Sequence, residues 1–398
     1  MEKIVFIKFV AGDFEKGFKV NLLIGEKDNF PFTETIGYLS PQPILLTLLQ
    51  KWQEQYKNLF GEIYRKIKVQ HVYHYSSEDC AKSASKLQYC FINWLQSKEF
   101  REIDIRLREE LNPNEQIRIV ICTQDKQLRQ LPWHLWDLFE RYSKAELALS
   151  FLESRKDEKY NTPTYRDKVK ILAILGYSHG FYVEKDRQIL ENLPDAATTC
   201  LSEPQRYDIN EHLWNQTWDI LFFAGHGLSE GQKGRIYINQ NDSLTIEELK
   251  YGLKQAVANG LQLAIFNSCA GLSLIHELEE LHIPQIIVMR EPVPDKVAQE
   301  FLKYFLVAFA TDGKSLYQAV REARLRLHGL EDKYPYASWL PAICQNPATI
   351  PPSWLELGRR DTNICPYRGL FAFREEHSRF FFGRETFTKM LVNAVTDP

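Results

Sequence analysis

Short apolar runs alternate with amphipathic segments along much of the chain, and this rhythm is clearest between residues 168 and 347. The apolar runs are typical of buried strands, and the segments between them carry apolar residues at helical spacing. Strands that alternate with helices predict a parallel α/β sheet with helices on both faces. The predicted buried strands are Val169–Leu175, Ala197–Leu201, Trp218–Phe223, Leu261–Phe266 and Ile286–Met289, with a closing strand at Ala337–Ile343.

Six helices are predicted between and after these strands. The segment Leu244–Asn259 has the clearest start, because Ser243 or Thr245 can cap it and Glu247 and Glu248 lie near its positive end. The other predicted elements are a hairpin strand at Gly234–Ile238 and helices at Asp186–Leu193, Asn210–Gln216, Leu272–Leu281, Lys296–Ala310 and Ser315–Leu327.

Residues 1–165 are predicted to form a mixed α/β extension that packs on the α/β part at 166–347. We favour a flank of the same sheet over a separate dock for partner proteins, because Gln116–Phe139 joins smoothly to the pattern that follows. The charged stretch Glu153–Tyr160 predicts a solvated loop or boundary. Predicted elements are strands at Lys3–Phe9, Phe18–Ile24, Gln116–Cys122 and Glu146–Leu152, helices at Ile44–Phe60 and Glu78–Leu95, and a compact aromatic segment at Leu131–Phe139.

Composition narrows the class of protein without identifying it. The 398 residues are 44% hydrophobic and 25% charged, with a formal net charge of −3, which is ordinary for a globular protein. This balance lacks the basic domain that nucleic-acid binding needs. No apolar run approaches the roughly 20 residues of a membrane span, and Met1–Phe9 predicts a strand rather than a signal peptide. We therefore predict no direct contact with nucleic acid or membrane.

The cysteine pattern bears on the compartment. Seven cysteines occur at positions 80, 90, 122, 200, 269, 344 and 365, and no CxxC pair is present. This odd, unpaired set is not typical of a zinc site or a disulfide framework. A reducing cytoplasm is the predicted location, and it would also keep a catalytic thiol usable.

Two of the apolar runs end at reactive side chains bracketed by small residues. The run Leu221–Gly227 contains His226 between two glycines, and the run Ala264–Gly271 contains Cys269. Side chains just past the carboxyl ends of parallel strands converge in one crevice. Two such strands predict a base and a nucleophile face to face, which is what thiol-based acyl transfer needs.

Each residue also has a structural interpretation when it is taken alone. A histidine after an apolar strand is often a satisfied core residue, and a single buried cysteine is usually inert packing. Their joint occurrence after two buried strands favours chemistry. Asp219 lies at the opposite end of the His226 strand, so it is interpreted as a strand-end residue rather than a partner for the imidazole.

These motifs resemble the CHAT branch of caspase-like cysteine peptidases, a clan that includes caspases, metacaspases and separase. The resemblance rests on FFAGHG with His226, FNSCAG with Cys269, VMREPVPD and SWLPAICQNP, and it covers residues from about 116 to 347. It implies a caspase-like, mainly parallel sheet and peptide-bond hydrolysis through a Cys269–His226 dyad. By family analogy the backbone N–H groups of Gly227 and Cys269 would form the oxyanion hole, and no metal or organic cofactor would be needed.

The resemblance also places the substrate pocket in loops after neighbouring strands, here at 176–181 and 290–295. Tyr177, Glu291 and Asp295 are the candidates. Asp295 aligns loosely with an acidic position that favours basic residues in separase-like relatives, although it also fits the start of a helix. Arg290 would favour an acidic residue instead, so the preference before the scissile bond stays open.

The end of the chain has a different character. Residues 348–363 contain Ile-Pro-Pro-Ser-Trp followed by polar residues and predict a linker. The stretch Cys365–Glu385 resembles the opening of a STAND-type NTPase module, so residues 364–398 are expected to be the truncated start of that module. No GxxxxGK[ST] motif occurs, and an ATP or GTP site and oligomerisation are expected only in the missing NTPase region.

Three functions remain open at this point. The resemblance favours a regulated endopeptidase that cleaves a protein substrate, as the effector of a larger bacterial NTPase or sensor protein in defence or regulated cell death. A catalytically silent caspase-like module that transmits assembly of the STAND NTPase is the alternative. A third possibility is another thiol acyl-transfer enzyme, such as an amidase.

Overall fold

A computed structural model describes residues 2–26, 29–64, 77–150, 152, 168–177, 182–230, 233–268, 275, 277–278 and 280–358. Several predictions fall outside these residues. They are the charged loop at 153–160, most of the helix at 272–281, the end of the linker, and residues 364–398. Cys269 also lies outside the described residues.

Eleven strands form one sheet, and three short strands form a second. The order in the large sheet is β3-β2-β1-β4-β5-β14-β13-β12-β8-β6-β7, and the small sheet has the order β11-β10-β9. The strands are β1 Glu2–Asp13, β2 Gly17–Glu26, β3 Asn29–Leu39, β4 Gln116–Cys122, β5 Ala145–Ser150, β6 Val169–Leu175, β7 Ala196–Ser202, β8 Ile220–Gly225, β9 Gly227–Glu230, β10 Lys233–Tyr237, β11 Ser243–Thr245, β12 Leu263–Ser268, β13 Gln285–Met289 and β14 Pro341–Gln345.

The large sheet consists of two mostly parallel halves. Strands β13, β12, β8, β6 and β7 run in one direction, and β14, β5, β4 and β1 run in the other. The halves meet at the antiparallel pair β13–β14, and the meander β1–β2–β3 is antiparallel as well. The predicted mainly parallel α/β sheet is therefore confirmed, and the N-terminal strands extend it as a flank.

Helices cover both faces of the sheet, as α/β architecture requires. Two short segments at Trp133–Leu135 and Leu138–Arg141 form the aromatic stretch that the sequence indicated. The helices are α1 Ile44–Tyr64, α2 Ser77–Leu95, α3 Arg101–Glu110, α4 Lys126–Gln130, α5 Leu138–Arg141, α6 Tyr182–Glu191, α7 Arg206–Asn215, α8 Ile246–Ala258, α9 Asp295–Leu306, α10 Leu316–Leu327 and α11 Trp354–Gly358. None of the described helices has both the length and the apolar character needed to cross a bilayer.

Local sequence explains why the best-predicted elements form. The run Val169–Leu175 is buried along almost its whole length, as expected for a central parallel strand. Thr245 caps α8 in a capping box with Glu248, because each side chain accepts a hydrogen bond from the other's backbone N–H. Ser315 caps α10 in a similar way by accepting from the Gln318 N–H.

Four elements depart from the predictions. Strand β3 at the sheet edge and helix α3 were not predicted, because exposed edge strands and highly charged helices lack a strong apolar pattern. The predicted helix Lys296–Ala310 ends as an α-helix at Leu306 and continues as a π-helical turn over Val307–Thr311. The predicted closing strand begins at Pro341, after a 3₁₀ turn over Ala337–Trp339.

Candidate active site

The register of two central strands defines the sheet edge that carries His226. Strands β8 and β12 are parallel neighbours, and their last residues, Gly225 and Ser268, are directly paired. His226 is the next residue after Gly225. Cys269 follows Ser268 in the sequence, although it is not among the described residues. The strand pairing thus brings the carboxyl ends of β8 and β12 to the same edge of the sheet, where His226 directly follows β8.

The backbone of His226 is held on both sides. Its N–H donates to the Tyr177 carbonyl at 3.1 Å, and its carbonyl accepts from the Tyr237 N–H at 2.9 Å. The Tyr177 N–H in turn donates to the Tyr237 carbonyl at 3.1 Å, so the ends of β6, β8 and β10 are tied together. The Tyr177 and His226 rings lie 6.1 Å apart between centroids, at a 60° angle.

A glycine makes this arrangement possible. A Cβ atom on Gly176 would lie 2.2 Å from the Tyr237 carbonyl oxygen, far inside contact distance. Only glycine allows the end of β6 to approach the hairpin that follows His226 so closely. The small residues around His226 therefore allow close backbone packing as well as access to the imidazole.

A cavity opens at this edge of the sheet and carries polar groups from four elements. His226 and Ser268 line it from the strand ends, and α6 and α9 close it from one face. Its lining consists of His226, Asp186, Asn267, Ser268, Asp295 and Gln299, with the apolar residues Val183, Val293 and Ala298 and the backbone of Ala224 and Gly225.

Two carboxyl groups dominate the electrostatics of this cavity. Asp186 on α6 is only 4% exposed, and burial raises the pKa of its carboxyl to about 7, with the negative charge of Asp295 adding to the shift. Burial also raises the pKa of Asp295, and the nearby His226 lowers it in part. The negative charge of Asp295 near the Asp186 carboxyl favours a bound cation in this cavity.

The end of β12 is fixed to helix α9. The Asn267 side-chain amide donates to the Ala298 carbonyl in the first turn of that helix at 3.0 Å. Within the described part of the chain, Asn267 Oδ1, Ser268 Oγ and Asp186 Oδ1 are buried without a hydrogen-bond partner. Buried polar atoms of this kind are costly unless a ligand or water satisfies them.

The predicted pocket candidates take up different positions. Asp295 is the first residue of α9 and lines the cavity, and the Tyr177 ring faces His226. Glu291 points the other way, toward α1, where it contacts Gln53 and Lys57. The structure therefore brings His226, Tyr177 and Asp295 together and separates Glu291 from them.

The remaining residues considered from the sequence are not among those that line the cavity. Gly227 directly follows His226 as the first residue of β9, opposite Ile236. Asp219 is fully buried at the start of β8, where its carboxylate accepts from the Lys170 N–H at 2.8 Å. Arg290 is half-buried and donates to the Arg129 and Leu131 carbonyls.

Sequence reasoning missed Asp186, the most buried acid of the cavity. A signal existed, because Val183, Asp186 and Leu190 share the spacing of an inward helix face, and a carboxylate on that face is unusual. Gln299, Asn267 and Ser268 were missed for a different reason. Their positions at the cavity follow only from the packing of α9 against β12.

The chain belongs to the CHAT domain family, whose profile matches residues 93–346, more than half of the sequence. This match starts earlier than the motifs indicated, at a residue inside the predicted N-terminal extension. The domain boundaries at residues 165 and 347 stay predictions. A comparison with curated proteins finds no match.

Among solved structures, the fold is similar to a chain in the crystal structure of the Saccharomyces cerevisiae separase–securin complex, with a TM-score of 0.53 and 12% sequence identity. The similarity covers 86% of this chain but only 30% of that chain. At this level of identity the similarity concerns the fold alone. It confirms the caspase-like sheet that the motifs implied.

Proposed function

We propose that this protein is a cysteine endopeptidase in which Cys269 is the nucleophile and His226 is the general base. The pairing of Gly225 with Ser268 supports the proposal, because β8 and β12 end together at one sheet edge and the next residues in the sequence are His226 and Cys269. The polar cavity beside His226 supports it as well. A thiol needs such a neighbour, since its ordinary pKa of about 8.5 leaves it mostly protonated at neutral pH.

The proposed reaction proceeds through an acyl-enzyme. Cys269 Sγ attacks the peptide carbonyl carbon while His226 accepts the thiol proton, and His226 then donates that proton to the leaving amine. Water, deprotonated by His226, hydrolyses the resulting thioester and regenerates the thiol. The N–H groups of Gly227 and Cys269 are the proposed oxyanion donors, a role in which one donor contributes roughly 10²–10³ in turnover.

Asp186 and Asp295 suggest the residue that the site accepts before the scissile bond. Both carboxyl groups line the cavity beside His226, and the charge of Asp295 opposes the ionisation of Asp186, so a bound cation is favourable there. A guanidinium can bind carboxylates with paired, charge-assisted hydrogen bonds. We therefore assign the pocket to a basic side chain, with arginine preferred. Arg290 does not oppose this assignment, because its side chain donates to backbone carbonyls away from the cavity.

The test is hydrolysis of matched peptides that carry Arg or Ala before the scissile bond. The full chain is expected to cleave the Arg peptide, and Cys269→Ala is expected to lower the rate on the order of 10³-fold or more. Asp295→Asn should reduce the Arg-over-Ala preference by about 10- to 100-fold, the range for a lost charged hydrogen bond. Asp332→Asn, at an exposed position, is the matched control.

Each of the other functions has its own outcome in this experiment. Equal, background rates for wild type and Cys269→Ala on every peptide would point to the silent interaction module. Cleavage of small amides without cleavage of peptides would point to an amidase. Either result contradicts the endopeptidase proposal.

The wider setting predicted from the sequence belongs to the same proposal. In that setting the peptidase is a cytoplasmic effector of a bacterial defence protein, and a STAND-type NTPase region binds nucleotide and drives oligomerisation. The resemblance of Cys365–Glu385 to the start of such a module supports this setting.

A further inference from the structure

The loop between β13 and α9, residues 290–294, has two different neighbours. Directly after it, Asp295 begins α9 and lines the cavity beside His226, and Val293 of the loop lines the same cavity. The opposite side of the loop contacts helix α1 of the N-terminal region. A short segment that touches both the candidate site and another element can transmit the position of one to the other.

Helix α1 binds this loop through three side chains on one face. Gln53 Nε2 donates to Glu291 Oε1 at 2.5 Å, and Lys57 Nζ lies 3.6 Å from Glu291 Oε2. Tyr56 lies about one turn further along the same helix, and its hydroxyl donates a hydrogen bond to the Pro292 carbonyl at 3.0 Å. Two consecutive loop residues are thus fixed by consecutive turns of one helix.

The burial of Glu291 makes these contacts costly to break. Its side chain is only about 5% exposed, and burial raises the pKa of its carboxyl, while Lys57 and Gln53 act in the opposite direction. A buried carboxylate that loses its partners is strongly destabilised. The loop is therefore expected to move with α1 rather than detach from it.

Helix α1 is itself anchored to the neighbouring part of the fold. The Trp52 ring packs against Trp339 with centroids 5.1 Å apart and against Tyr336 at 6.0 Å, in the turn that leads into β14. The other end of the loop is also fixed, because the Arg290 N–H donates to the Leu340 carbonyl at 2.7 Å. These contacts set the position of α1, which in turn supports residues 291 and 292 of the loop.

Helix α1 also lies before residue 93, where the match to the CHAT domain family begins. The support that it gives to the loop is therefore an addition of this chain's N-terminal region to the matched domain.

We propose that α1 is a positioning element for the substrate pocket: through Gln53, Tyr56 and Lys57 it holds the 290–294 loop so that Asp295 faces His226. This proposal rests on the proposed function, since it concerns how a basic substrate residue is held. A displacement of α1 would move Asp295 within the cavity. Substrate binding would change more than the chemical step.

The test exchanges the partners across the α1–loop contact. Gln53→Glu places a second carboxylate against Glu291, and it is expected to raise KM for the Arg peptide about tenfold or more, with kcat within about threefold of wild type. The double variant Gln53→Glu/Glu291→Gln restores one amide and one carboxylate, so KM is expected to return to within about threefold of wild type. Tyr56→Phe, which removes only the hydroxyl, should raise KM by about two- to tenfold.

Glu54→Gln is the matched control, because Glu54 lies on α1 at an exposed position. A purely structural role of the contact would lower Tm in Gln53→Glu without changing the Arg-over-Ala preference. The proposal would be overturned if folded Gln53→Glu and Tyr56→Phe kept the wild-type KM and preference, or if the double variant failed to recover while remaining folded.

Amide hydrogen exchange separates this proposal from the proposed function. Faster exchange at residues 290–298 is expected in Gln53→Glu, with recovery in the double variant and no change in Glu54→Gln. Hydrogen exchange can be measured even if no peptide is cleaved. In that case the peptidase proposal fails, and the positioning role of α1 is still tested. Unchanged exchange at these residues in Gln53→Glu contradicts the positioning role, whatever the activity.

Discussion

At the scale of single residues, the cavity beside His226 combines a base with two acids of unequal surroundings. Asp186 is buried on α6, whereas Asp295 is partly exposed at the start of α9. Burial and the charge of Asp295 raise the pKa of Asp186 to about 7. Near neutral pH, the free protein therefore holds a proton on Asp186 much of the time, and a bound cation favours its release.

The raised pKa of Asp186 predicts a pH-dependent cost in stability. The ordinary pKa is 3.8, so between that value and about 7 the folded state holds a proton that the unfolded state has released. The contribution of this group to the free energy of unfolding is largest at low pH and is lost as the pH rises toward 7. We expect Asp186→Asn to be more stable than wild type at pH 8, by at most about 4 kcal/mol, and similar at pH 4.

Urea unfolding at the two pH values measures this difference, and Asp332→Asn serves as the exposed control. Parallel pH dependences for wild type and Asp186→Asn would show that the acid is not buried in its neutral form. The same substitution should weaken the preference for the Arg peptide, because the pocket loses one of its two carboxylates.

At the scale of elements, the end of β6 positions the histidine segment through close backbone contact. Gly176→Ala would place a Cβ atom 2.2 Å from the Tyr237 carbonyl oxygen. The backbone must shift, and we expect a loss of roughly 1–3 kcal/mol in the free energy of unfolding. Peptidase activity should fall at least about tenfold, because Tyr177 carries the carbonyl that binds the His226 N–H.

Gly329→Ala is the comparison for this substitution, since a Cβ atom at Gly329 would have no neighbour within 4 Å. Thermal unfolding and peptide hydrolysis of the two variants are the measurements. Wild-type activity in folded Gly176→Ala would contradict the account of how His226 is positioned.

The elements also show what the sequence could and could not predict. Apolar runs located β6, β8 and β12, because central parallel strands are buried on both faces and depend little on their neighbours. Edge strand β3 was missed, since an edge strand has no comparable pattern. The direction in which Glu291 points depends on α1, more than 200 residues earlier in the chain, and no local pattern encodes such a contact.

At the scale of the whole molecule, one sheet joins the N-terminal region to the half that carries the candidate site. Strand β1 pairs with β4 over seven residues, from Glu2 opposite Gln116 to Lys8 opposite Cys122. A buried ion pair between Glu146 of β5 and Arg324 of α10, at 2.7 Å, lies in the same half of the sheet as β4. The core therefore runs across the predicted boundary at residue 165.

This continuity predicts that residues 93–346 are not an independent folding unit. Deletion of residues 1–92 removes β1, β2, β3, α1 and most of α2, and it leaves β4 as an unpaired edge above an uncovered apolar face. We expect an insoluble product or one without a cooperative unfolding transition. A soluble deletion variant with a sharp thermal transition would contradict a shared core.

Cleavage-site profiling by mass spectrometry, with an unbiased mixture of peptides and the full chain, tests the proposed peptidase and its pocket together. We expect new termini mainly after Arg, with a minority after Lys, in wild type. We expect none above background in Cys269→Ala and a weaker preference in Asp186→Asn and Asp295→Asn. Cleavage after acidic or apolar residues would contradict the assigned pocket, and identical profiles for wild type and Cys269→Ala would contradict the peptidase itself.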